Sequence, residues 1–143
     1  MTDEPMWLVL ARDELGTVEI PGPRSNPKVV QYYLDVVGKK YGDSVPWCAA
    51  FVGAMLMRSG EHSSGSLMAR SYVRYGERCE AKPGAIAVFS RGGSRVFGHV
   101  NFVEHVVGNK LLCIGGNQHD AVTRATYSKG KAIAFRWPKE ETK

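Results

Sequence analysis

The chain has 143 residues, 43% of them apolar and 23% charged, a balance that excludes a disordered protein and needs no disulfide or metal to hold a core. Its longest apolar runs fall short of the roughly 18–20 residues that cross a bilayer. Nineteen Lys and Arg against fourteen Asp and Glu give a formal charge of +5, which suits an anionic partner, but the basic residues are scattered and carry no nucleic-acid-binding motif.

With no linker-like stretch, we expect a single domain over residues 1–143 that ends in a polar tail from about residue 138. "DEPMWLVLARDEL" has helical spacing and predicts a short helix over residues 4–15. Asn26 caps a second helix with Pro27 at its first position and Gly42 as its stop. A third helix follows, with Pro46 near its start and Gly60 past its end, and "LMARSYVRYG" reads as a short fourth. After Gly76 the period falls to two. Five strand-like runs follow, "GAIAVFS", "GHVNFVEHVVG", "KLLCIGG", "AVTRATYS" and "AIAFRWP", with a hairpin tip at Gly108-Asn109. Helices followed by a meandering antiparallel sheet predict an α+β fold.

The chemistry centres on Cys48. In the first turn of the third helix, free N–H groups and the helix dipole stabilise a thiolate and can hold an oxyanion. The same "CAAFV" stretch also reads as core. A cysteine nucleophile needs a base, and four histidines are present. His62 and His119 lie in loops. His99 and His105 share a face of one strand about 20 Å apart, so only one can meet Cys48. His99, at the strand's start, is our choice. The hairpin returns "GGNQ" beside His99, where an amide can accept the Nδ1–H; Asn117 is favoured, with Gln118 the alternative. Glu104 falls on the opposite sheet face and reads as a surface charge. "GGNQ" opens no helix and lacks phosphate-loop spacing.

"PWCAAFV", "FGHVNFVEHVVGNKLLCIGGNQHDAV" and "AIAFRWP", with "EIPGPRSNPKVVQYY" and "SLMARSYVRYG", resemble a family of small phage and bacterial cell-wall lytic proteins. These are related to the CHAP amidohydrolase/peptidases and the NlpC-like peptidases. The resemblance implies a papain-like core, its N-terminal helices packed on a C-terminal antiparallel sheet, and cleavage of an amide bond of peptidoglycan in the stem peptide, cross-bridge or sugar–peptide link. By position it makes Cys48 the nucleophile, His99 the base and Asn117 the polar third residue. Tyr41 then stands where an aromatic hydroxyl can help hold an oxyanion, or it is an ordinary helix-end tyrosine. Trp47 is either a cleft wall or a buried anchor. Asn101, where a Gly is common, crowds or lines the cleft, and Arg70, Ser71 and Tyr72 either line a groove or form a surface helix.

No metal or organic cofactor is implied. Cys48, Cys79 and Cys113 include no CxxC and no zinc spacing, and all three are expected free. The partner is bacterial peptidoglycan, approached by a monomer with no nucleic acid and no stable membrane insertion. The acidic opening "MTDEP" is no signal peptide, so an endolysin-like protein would be made in the host cytoplasm and reach the wall through a holin-type pore. Two alternatives are an interbacterial toxin amidase and a non-catalytic wall-binding or virion structural module.

Overall fold

Residues 4–20, 26–41, 47–90 and 98–139 are described by a computed structural model. Three helices come first: α1 (Met6–Asp13), α2 (Pro27–Val37) and α3 (Cys48–Arg58). Asn26 caps α2 by accepting from the Lys28 N–H at 2.9 Å, with Pro27 at the first position as the sequence requires. The helix stops at Gly38, in the left-handed conformation at φ 70°, four residues before the expected stop. Gly42 and Pro46 lie outside the described residues, as does the tail from residue 140. α3 is apolar on every side and buried from Cys48 to Leu56, so it forms the centre of the helical layer.

The expected fourth helix is a 3-10 helix over Ala69–Arg74. Serines compete for its backbone groups: Ser66 Oγ accepts from the Met68 N–H, and the Ser71 hydroxyl donates to the Met68 carbonyl.

The remaining elements are β1 (Glu77–Arg78), β2 (Ile86–Ser90), β3 (Gly98–Val107), β4 (Lys110–Gln118), β5 (Ala121–Ser128) and β6 (Ala132–Trp137). They form one antiparallel sheet in the order β1-β6-β2-β3-β4-β5. The meander therefore holds from β2 to β5, and Val107 pairs with Lys110 around the expected Gly108-Asn109 tip. β6 departs from it, crossing back to the other edge of β2. The fold is α+β, with the helical layer against one sheet face. Val88, Val100, Phe102 and Ile114 join α3 in the main core, while Ala87, Phe89, Val103 and Cys113 form a second cluster on the opposite face.

Glu104 corrects the sequence reading. It occupies the opposite face from His99, as expected, but is only 3% exposed rather than a surface charge. A register shift between Val103 and His105 accommodates it. Arg12 of α1 donates to it at 2.9 Å and Arg124 of β5 at 2.7 Å, so one carboxylate ties the first helix to the sheet. The Arg124 hydrogen bond, opposed by burial and reinforced by Arg12, holds the Glu104 carboxyl below its usual range. A depressed carboxyl contributes stability above its unfolded value of about 4.3 and loses it as the pH falls through the folded value. Glu104→Gln should therefore cost about 1–3 kcal/mol at pH 7. Urea midpoints of the two proteins should converge as the pH is lowered below about 4. A gap that persists at low pH would show that the ion pairs are not its source.

Candidate active site

The start of α3 is fixed from below. Trp47, the N-cap residue, is fully buried, stacks on Tyr32 with centroids 5.9 Å apart, and donates Nε1–H to Glu19 at 2.9 Å. It is an anchor and not a cleft wall. It supplies no side-chain cap to the helix, so the first-turn N–H groups owe nothing to it. Cys48 follows as the first helical residue, 4% exposed. The fully buried Tyr72 hydroxyl is raised by desolvation above all, and a negative charge at Cys48 adds to that effect, which places the two within electrostatic reach. Burial pushes the Cys113 thiol up to about 12 and, with Lys82 and Arg136 opposing, also raises Cys79. None of the three cysteines is in a disulfide.

His99 is the second residue of β3 and is 7% exposed, whereas His62, His105 and His119 are exposed. Its Nε2 lies 3.0 Å from Gln118 Oε1. The orientation of that amide follows from its other end. Gln118 Nε2 lies 2.8 Å from the Thr123 carbonyl oxygen, which can only accept, so the atom facing His99 is the amide oxygen. An amide oxygen also only accepts, so His99 carries its proton on Nε2 and its basic lone pair on Nδ1. The bond expected at Nδ1 is thus made at Nε2. Two more donors converge on Gln118 Oε1, Asn101 Nδ2 at 3.1 Å and the Tyr127 hydroxyl at 3.0 Å. Tyr127 also stacks on His99 with centroids 5.9 Å apart, and so holds both the ring and its acceptor.

The residue against His99 is Gln118, the alternative, and Asn117 makes no such bond among the described hydrogen bonds. Strict alternation from Gly115, whose Cβ position faces Asn101, would put Asn117 on the His99 face. A register shift between Gly115 and Gln118, with Asn117 left-handed at φ 58°, turns Gln118 there instead. His119 and Asp120, at φ 54° and 60°, then close a two-residue turn onto Ala121. Asparagine's tolerance of this conformation was the available signal.

Asn101 is completely buried on the His99 face, its Oδ1 without a hydrogen-bond partner among the described residues. His99 pairs with Phe89 and Asn101 with Ala87, both of the second cluster, so these side chains line the sheet face away from α3's body. Tyr41 is 38% exposed and packs on Tyr33 beyond the end of α2. Arg70 reaches Ser90 Oγ at 3.2 Å, Ser71 bonds Ser64, and Tyr72 is core. The sequence reading missed Thr123 and Tyr127, which hold Gln118 from β5. Among the described residues no group of three or more His, Cys, Asp or Glu could hold a metal ion.

A family model described as the CHAP domain matches residues 40–117, just over half of the chain, and takes in Cys48, His99 and Asn117. No curated protein sequence matches. Among solved structures, Ly7917 with the hydrolyzing product of MDP is similar at 16% identity and a TM-score of 0.44, covering 93% of this chain and 61% of that one. A second structure of Ly7917 gives 15%, 0.42 and the same coverage. The chain thus spans about three fifths of the length of these neighbours.

Two glycines of β4 test this geometry. A Cβ on Gly115 would lie 2.7 Å from Gln118 Oε1 and 2.8 Å from Asn101 Cβ. Gly115→Ala should therefore push the amide off His99, and nitrogen-15 spectra should lose the fixed Nε2–H pattern. A Cβ on Gly116 would lie 2.7 Å from Phe51 Cβ and 2.8 Å from the Trp47 ring. Gly116→Ala should cost about 1–3 kcal/mol of stability, read by denaturant unfolding. An intact His99 tautomer in Gly115→Ala would contradict the assignment.

Proposed function

We propose, for a chain that belongs to the CHAP domain family, that it is a peptidoglycan hydrolase of endolysin type acting through Cys48. The observation that carries this reading is the buried His99, held by Gln118 in the Nε2–H tautomer, in a chain that also starts a buried helix at Cys48. Fixing the proton on Nε2 leaves Nδ1 to exchange protons with the nucleophile and the leaving group.

In the proposed reaction Nδ1 of His99 takes the Cys48 thiol proton, and the thiolate attacks an amide carbonyl of the wall peptide. The backbone N–H of Cys48, at the helix N-terminus, holds the oxyanion. Collapse of the tetrahedral species breaks the C–N bond, and the leaving nitrogen takes the proton from Nδ1. Water then gives a proton to His99 and attacks the thioester, which releases the acid and restores the thiol. Throughout, Gln118 Oε1 accepts from Nε2–H, which is present on both the neutral ring and the imidazolium. Asn117, one residue away, lines the cavity beside His99 rather than orienting the ring. No described helix is long and apolar enough to cross a membrane.

Digestion of purified peptidoglycan with product mass spectrometry tests the reading. Wild type should release peptide fragments, Cys48→Ala should be slower by at least about a thousandfold, and Gln118→Ala by about ten- to a hundredfold. Equal digestion by Cys48→Ala would remove the cysteine mechanism. Binding to the wall with no fragments from any form would make the protein a wall-binding module.

A further inference from the structure

A cavity of about 360 Å³ opens on the sheet face that His99 occupies. Phe89 and Tyr127, stacked with centroids 4.7 Å apart, give it an aromatic wall. Lys131, from the 3-10 turn Lys129–Lys131, is exposed and also lines it. Among the described residues Lys131 makes no ion pair, and no Asp or Glu lines the cavity. Cys48 is not among the described lining residues either.

That placement divides the substrate. In acyl transfer the carbonyl side becomes bonded to the nucleophile, and the amine side departs with a proton from the base. A cavity beside His99 but not beside Cys48 receives the amine side. Its cation, unpaired and unopposed by a carboxylate among the described residues, favours an anion there. We propose that this cavity is the leaving-group subsite and that Lys131 selects an amino acid or short peptide bearing a free carboxylate. The proposal rests on the hydrolase reading above. A bare sugar or an amidated peptide would leave the cation without a partner.

The test compares one wall-peptide substrate in two forms, with the leaving-side carboxylate free or converted to the primary amide. Wild type should favour the free acid in kcat/KM by roughly three- to fivefold, the size of an exposed ion pair. Lys131→Gln should bring the ratio to about one, and Lys131→Glu should reverse it; the ratio is taken within each protein, so partial misfolding does not mimic the effect. A wild-type ratio of one, or an unchanged ratio in Lys131→Gln, overturns the proposal. If wild type cleaves neither form, the hydrolase reading fails first, and binding to the full chain decides the subsite. L-Ala-L-Ala should then shift the Tyr127 and Lys131 resonances of Cys48→Ala while L-Ala-L-Ala amide does not. Equal shifts from both peptides, or none, overturn the subsite independently.

Discussion

Strand β4 carries two consecutive glycines, and the site depends on the space that each leaves on its own face of the sheet. On one face, Gly116 lets Trp47 and Phe51 approach the strand more closely than any Cβ would permit. That contact seats the first turn of α3, and with it Cys48, against the sheet. On the other face, Gly115 leaves room for Asn101 and the Gln118 amide. A side chain at either position would move one half of the candidate site relative to the other. The pair is therefore a packing device, and the resemblance of "GGNQ" to a phosphate loop ends at composition.

The same elements give the protein its stability and its chemistry. α3 is buried along most of its length, so the helix that presents Cys48 is also the centre of the main core. The core residues beneath it, Trp47, Tyr32 and Phe51, form an aromatic group whose polar tips are satisfied by Glu19 and Glu14. Farther along β3, Glu104 joins α1 and β5 through its two arginines. The charges lie where they tie layers together, and the helix start carries no side-chain cap from Trp47 that would compete with an incoming oxyanion.

On the opposite face polarity is concentrated on one atom. Three donors meet Gln118 Oε1, which has two lone pairs, so the amide cannot rotate without losing His99, Asn101 and Tyr127 together. Thr123 holds the other end of the amide. Such a fully engaged amide suits a neutral base that must keep one tautomer, and it demands no second charge in a buried setting. The CHAP match ends at Asn117, one residue short of the amide that does this.

Much of this was legible in the sequence because it follows from local rules. Asn26-Pro27 marks a helix start, period-two patterning marks strands, and Gly108-Asn109 marks a hairpin. A helix opening at Cys48 and a strand opening at Gly98-His99 follow from the same signals. What tertiary structure decided are the quantities that alternation alone does not carry. The shift before Gln118 replaced Asn117 with its neighbour, because one left-handed residue inverts the faces of all that follow it. The burial of Glu104 depended on Arg12, 92 residues away. The nitrogen of His99 that bears the proton depended on Thr123, which the hairpin turn alone brings to the amide. Sequence determined which groups were present and on which elements. The sheet's register decided which of them meet, since a shift of one residue along a strand moves a side chain through the sheet.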